Sequence, residues 1–124
     1  MNEIKKFVRL NDNRIYDTSK LAYYNYEDGK HYQVNYDYSH RDGHYDITDI
    51  IVKLANTPQE LIEVGDLIVD SEYGYPFRAD QVFKDNIVND IEGWIIPFNE
   101  ITKILTPNSN GGYDLQWSAD NDKR

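Results

Sequence analysis

Ile87-Val88-Asn89-Asp90-Ile91-Glu92-Gly93-Trp94-Ile95-Ile96-Pro97-Phe98 holds two short β-branched apolar runs joined at Glu92-Gly93. Runs of this length and composition, separated by a residue that tolerates positive φ, read as neighbouring strands. The same pattern extends in both directions. Residues 67–69 and 77–83 precede the pair and residues 101–105 and 113–117 follow it, with turn signals at Tyr73-Gly74-Tyr75-Pro76 and across 108–112.

Further towards the N-terminus, residues 6–10 read as a strand. Asn11-Asp12-Asn13 supplies turn residues, and 14–16 returns as a hairpin partner. Residues 18–22 show no preference. Tyr24 and Tyr26 lead into the turn Glu27-Asp28-Gly29-Lys30, after which Tyr32, Val34, Tyr36 and Tyr38 alternate with Gln33, Asn35 and Asp37. That period of two marks a half-buried antiparallel strand. Arg41-Asp42-Gly43 reads as a second turn, and 45–54, rich in β-branched residues, as one strand ending before Asn56, with a helix as the alternative. Thr57-Pro58-Gln59-Glu60 has the form of a capping box with proline at the first helical position, and Gly65 supplies the stop. The expected fold is mainly β (α+β): a small twisted antiparallel sheet or SH3-like partial barrel with one short helix near 58–63. A single globular domain is expected over 1–117, with a polar C-terminal tail over 118–124.

At 124 residues the chain has material for one core, and its 40% hydrophobic content with seventeen aromatics suits a packed interior. Without cysteine there is no disulfide, thiolate metal site or thiol nucleophile. The Met-Asn-Glu-Ile-Lys-Lys start lacks a following apolar segment, and no apolar run approaches the roughly 18 residues of a spanning helix, so a cytoplasmic location is expected. A formal charge of −9 opposes binding to nucleic acid or anionic lipid and favours a basic partner surface.

That charge is unevenly placed. Residues 1–62 carry ten acids and eight bases, whereas 63–124 carry twelve acids and five bases. Between Glu60 and Glu100 stand ten carboxylates and only two cations, Arg78 and Lys84. Same-face residues on a strand repeat every 6.5 to 7 Å or so, close to the spacing of phosphates along a nucleic-acid strand. Asp66, Asp70, Glu72, Asp80, Asp85, Asp90, Glu92 and Glu100, with Tyr73 and Tyr75 beside them, are therefore the candidate partner-binding residues. Such a surface competes with nucleic acid for a basic groove. The alternative is a solvated face that only maintains solubility. Mutual repulsion is expected to raise these carboxyl pKa values and to destabilise the fold at low salt.

Seven of the eleven tyrosines and all three histidines lie between Tyr23 and Tyr45. Exposed, they suit a contact surface or a stacking platform; otherwise they are strand-formers with one row buried. Stacking on single strands also needs flanking cations, and only Lys30 and Arg41 lie in that stretch. His31, His40 and His44 with Asp37 and Asp46 have metal-ligand chemistry, but Gly43 interrupts the spacing, and no metal or other cofactor is assigned. There is no nucleophile elbow, P-loop or dinucleotide fingerprint, and carboxylates are too abundant to single out an acid–base pair. No catalytic residue is assigned, and the chain reads as non-enzymatic.

Lys6-Phe7-Val8-Arg9-Leu10-Asn11-Asp12-Asn13-Arg14-Ile15-Tyr16-Asp17-Thr18 resembles the opening of short accessory proteins of phages and prophages of Gram-positive bacteria. The segments 55–68 and 101–108 resemble the same group, so about a third of the chain is involved. The resemblance carries no site residues. It implies a stoichiometric binder acting on a host protein, and the chain is similar in kind to anti-defence inhibitors, anti-CRISPR proteins among them. The expectation is thus a phage-encoded inhibitor. Its acidic half imitates nucleic acid towards a basic host protein such as a CRISPR effector or defence nuclease, with no direct binding of nucleic acid or membrane. The alternatives are a pocket protein that sequesters a small signalling molecule or nucleotide, and a self-associating structural or regulatory phage protein.

Overall fold

The computed structural model describes residues 6–17, 22–36, 42–72 and 74–119, the side chains of 22, 23, 33–36 and 42–45 excepted. The chain is mainly β, as its sequence pattern predicts: the described residues form several small antiparallel sheets, none of which closes into a barrel. They fall into two compact units, Met1–Thr57 and Pro58–Arg124, each holding two of the sheets.

In the first unit β1 (Phe7–Leu10) lies between β2 (Ile15–Asp17) and β6 (Ile51–Ala55), so both of its edges are paired, and all four of its residues are buried. Val8, Leu10 and Ile47 form the core, with Tyr16, Ile50 and Ile51 packed against it. The expected turn at Asn11-Asp12-Asn13 is present. Asn13 takes the left-handed conformation at φ 74°, which asparagine tolerates better than most residues. Asp12 Oδ1 accepts the Arg14 amide at 3.2 Å.

The other sheet of this unit is β3 (Ala22–Asn25), β4 (Lys30–Tyr36) and β5 (Asp42–Asp46), with β4 central. Asp42 and Gly43, expected in a turn, belong to β5 and pair with Tyr36 and Asn35. The single strand expected over 45–54 is broken. After Asp46 the chain makes a 3-10 turn, Thr48–Ile50, before β6 joins the β1 sheet. Thr48 is the cause. Its amide donates to Asp46 Oδ1 and its Oγ1 accepts the His31 amide, both at 2.9 Å, so a side-chain oxygen takes a β4 amide and the strand pairing ends before the chain passes to the next sheet.

The second unit opens with a 3-10 helix, Pro58–Leu61, where a short helix is expected; Pro58 and Leu61 are buried. β7 (Leu67–Asp70), β8 (Pro76–Arg78), β12 (Ile101–Pro107) and β13 (Tyr113–Ser118) form a sheet in the order β13-β12-β7-β8. β9 (Gln81–Val82), β10 (Asn86–Asn89) and β11 (Trp94–Pro97) form another in the order β11-β10-β9. The run 77–83, expected as one strand, is thus split between two sheets at Ala79-Asp80. There the Ala79 amide donates to Asp66 O and the Asp80 amide to Val88 O. Leu61, Ile62, Ile68, Phe77, Ile87, Ile96, Ile101 and Ile104 are buried, each stabilising the unit by about 1.5–3 kcal/mol relative to exposure. Among the described residues no helix is long and apolar enough to cross a membrane.

Candidate functional site

The acidic candidates are carried by turns. Of the eight, only Asp70 lies within a strand, as the last residue of β7; Glu100 closes a 3-10 turn, Phe98–Glu100, and the others occupy connections. The expected two-residue, phosphate-like spacing along a strand face is therefore not how these groups are presented. Aspartate is a poor strand former and a good acceptor for its own turn's amides, and that preference decides their location.

Three of the eight are engaged in holding turns. Asp66 is buried and its Oδ2 accepts the Glu63 amide at 2.8 Å, closing the bend around Gly65 (φ 99°). Asp70 is buried and its Oδ1 accepts the Glu72 amide at 2.9 Å. Asp80 accepts the Asp90 amide at 2.8 Å on one oxygen and the Arg78 guanidinium on the other. The Asp90 amide first, and Arg78 second, hold the Asp80 carboxyl below the usual carboxylate range. The shift runs opposite to the rise that mutual repulsion among the acids predicts, because these hydrogen bonds outweigh the desolvation that opposes them.

Five are exposed: Glu72, Asp85, Asp90, Glu92 and Glu100. Asp90 Oδ1 accepts from Gln81 Nε2 at 2.9 Å, and Asp85 Oδ1 from Asn86 Nδ2 at 3.0 Å, bonds that leave the negative charge unneutralised. Buried Asn89 organises the turn between them. Its Nδ2 donates to Arg78 O at 3.0 Å and its Oδ1 accepts the Glu92 amide at 2.8 Å. Tyr73 lies outside the described residues.

Three of these carboxylates, Glu72, Glu92 and Glu100, line clefts beside an aromatic ridge. The Tyr75 ring meets Phe77 at 4.9 Å between centroids, and Phe77 meets Trp94 at 5.0 Å. One flank is a cleft of about 250 Å³ lined by Tyr75, Pro76, Phe77, Arg78, Asn89, Ile91 and Glu92. The other is a cleft of about 260 Å³ lined by Asp70, Glu72, Trp94, Ile95, Ile96 and Glu100. Both are smaller than the roughly 300–1,000 Å³ that encloses a small-molecule ligand. Ile91 and Ile95 are 77% and 67% exposed, large values for isoleucine in a folded unit. Phe77, Trp94, Ile91 and Ile95 are the site residues that sequence reasoning missed. The same-face spacing of Tyr75 and Phe77 was a usable signal, but the arrival of Trp94 from another sheet was not.

In the first unit Tyr24 packs edge-on against Tyr26 at 5.1 Å and tilted against buried His31 at 4.9 Å. His31 is therefore part of a packed aromatic group, and desolvation lowers its pKa. Asp37, Tyr38, His40 and Arg41 lie outside the described residues, as do the side chains of Tyr23, Tyr36, His44 and Tyr45. Among the described residues no group of three His, Asp or Glu is arranged to hold a metal ion. No family model, curated protein or solved structure matches this chain.

Proposed function

We propose that the protein is a non-enzymatic binder whose acidic unit engages the basic surface of a nucleic-acid-handling protein and keeps nucleic acid from it. One observation carries this reading: exposed Glu72, Glu92 and Glu100 line the clefts beside an aromatic ridge with two exposed isoleucines, exposed Asp85 and Asp90 add to the charge of the same unit, and Arg78 is engaged by Asp80. A surface with more carboxylates than cations attracts a basic surface and speeds encounter with it; aromatic and aliphatic side chains supply the desolvated contact that makes the encounter last. The negative field in this proposal comes from carboxylates carried on turns, some of them beside an apolar ridge. It opposes the phosphate backbone electrostatically without copying its repeat. The resemblance of three segments to phage accessory proteins supports reading the partner as a host defence protein of the bacterial cytoplasm, such as a CRISPR effector or nuclease.

The test is capture of partners from a Gram-positive lysate at about 50 mM and about 200 mM salt, alongside the variant Asp85→Lys, Asp90→Lys, Glu92→Lys, Glu100→Lys. These four positions are exposed, so the variant retains the buried turn acceptors. The expected result is a basic nucleic-acid-binding protein retained at low salt, released at high salt, lost with the variant and blocked from its nucleic acid by the wild-type chain. Equal retention by the folded variant, or a captured protein with no affinity for nucleic acid, overturns the proposal.

A further inference from the structure

The acidic cleft beside Trp94 has a wall of a particular kind: the outer edge of β11, the last strand of its sheet. On the inner side of β10, Asn86 O accepts the Phe83 amide at 2.8 Å and Val88 O accepts the Asp80 amide at 2.9 Å, so these two residues direct their backbone groups towards β9. Antiparallel strands alternate which residues exchange hydrogen bonds. The β10 residues facing β11 are therefore Ile87 and Asn89, and their partners there are Ile96 and Trp94. It follows that the N–H and C=O of Ile95, and the C=O of Pro97, point away from the sheet. Among the described residues no strand pairs with that edge. An edge of this kind is a template for another strand unless something blunts it. Pro97 limits it to a short register but leaves Ile95 able to both donate and accept.

What surrounds the edge decides what fits it. Ile95 is itself 67% exposed, exposed Glu72 and Glu100 line the same cleft, and among the described residues no lysine or arginine lines it. Trp94, which also lines it, carries the aromatic ring that best receives a cation. An acidic strand would be repelled, and a neutral one would leave the carboxylates unanswered.

We propose that β11 is extended by an extended segment of the partner protein bearing lysine or arginine, which pairs with Ile95 through its backbone and places a cationic side chain between Glu72, Glu100 and Trp94. Backbone pairing then supplies register, and the alternating side chains supply selectivity. This deepens the proposed function and rests on it: it says how a basic partner is held.

The probe is a ten-residue peptide of alternating lysine and valine, titrated into the full chain at low salt. Binding is expected with amide shifts centred on 94–97, and with hydrogen exchange at the Ile95 amide slowed at least tenfold at saturation. Ile95→Pro removes the outward donor while leaving every charge in place, and proline is tolerated at an edge position whose N–H faces out. It should weaken binding at least tenfold. Methylating alternate backbone nitrogens of the peptide makes the same deletion without altering the protein and should have the same effect. Glu72→Gln with Glu100→Gln should weaken binding and flatten its salt dependence.

Salt-dependent binding that survives both Ile95→Pro and backbone methylation overturns strand addition while leaving the acidic-binder reading intact. Equal binding of a glutamate–valine peptide overturns both. Self-association that Ile95→Pro abolishes assigns the edge to a second copy of this chain and overturns the inference.

Discussion

The unit Met1–Thr57 carries nine acids and eight bases, net −1, whereas Pro58–Arg124 carries thirteen acids and five bases, net −8. They also differ in which charges they bury. Both pair opposite charges locally, Asp12 with Arg14 at 2.7 Å and Asp46 with Lys30 at 3.5 Å in the first and Asp80 with Arg78 in the second, but the first buries a cation, Arg9. The second buries anions, Asp66 and Asp70, against the amides of Glu63 and Glu72. A backbone N–H is a partial positive charge that every turn supplies. Using it in place of lysine or arginine lets an acid-rich unit fold with few cations, and the remaining carboxylates stay unbalanced at its surface. The first unit uses turn amides in the same way at Asp12, Asp28 and Asp46, so what sets the second apart is that two of its amide-held carboxylates are buried.

The strongest way to break that contrast is to delete the buried charge on each side. Arg9 is only 1% exposed, and one of its terminal nitrogens donates to Asn13 Oδ1 at 2.9 Å, tying β1 to the turn that returns β2. Arg9→Ala should lower stability by about 3–5 kcal/mol, from the cavity and the polar groups left behind. Urea unfolding measures it. A loss below about 1 kcal/mol would mean that this cation is incidental to the unit that buries it.

Asp66→Ala comes next, with an expected loss of about 1.5–3 kcal/mol, because one charge-assisted bond is removed and the Glu63 amide is left in a buried bend. Asp66→Asn keeps an acceptor oxygen and should cost less. Glu92→Gln, on an exposed carboxylate of the same unit, should change stability by no more than about 0.5 kcal/mol. The order Ala, then Asn, then the surface variant is the content of the claim. If Glu92→Gln costs as much as Asp66→Ala, the division of this unit's acids into turn acceptors and surface charges is wrong.

These distinctions were only partly legible in the chain. Strands such as Phe7–Leu10, Leu67–Asp70 and Tyr113–Ser118 follow from local runs, and their turns from Asn13, Gly74 and Gly111, each at positive φ. Where a distant residue decides, local pattern fails. Thr48 breaks the 45–54 run because its hydroxyl meets the His31 amide, seventeen residues away. Asp66 and Asp70 read as surface charges because composition does not reveal which carboxylate its own turn will capture. The ridge was half visible: Tyr75 and Phe77 share a strand face by spacing, but Trp94 joins them only through the packing of a second sheet.

The smallest expected effect separates the units by pH. All three histidines belong to Met1–Thr57, and His31 is buried against Tyr24, where desolvation lowers its pKa from an ordinary value near 6.5. Its unfolded form therefore binds a proton more readily than its folded form. The stability that neutral His31 contributes is complete above pH 6.5 or so and is lost as pH falls from there through the lowered value. Asp46 and Asp80, one in each unit, are both held below the ordinary carboxylate value. Asp46 is held first by hydrogen bonds from Thr48, with Lys30 assisting, and Asp80 by those from Asp90 and Arg78. Their contributions are present above that ordinary value and disappear only in more acid solution. Amide hydrogen exchange at about pH 7, 5.5 and 3 reads the two windows separately. Protection across β3–β4 and the Thr48 turn should weaken between the first two values while β7 and β12 hold, and both units should weaken at the third. His31→Gln should remove the first step from Met1–Thr57 and leave the acid step in place. Parallel loss in both units between pH 7 and 5.5, or a first step unchanged in His31→Gln, would show that buried His31 does not set the pH response of its unit.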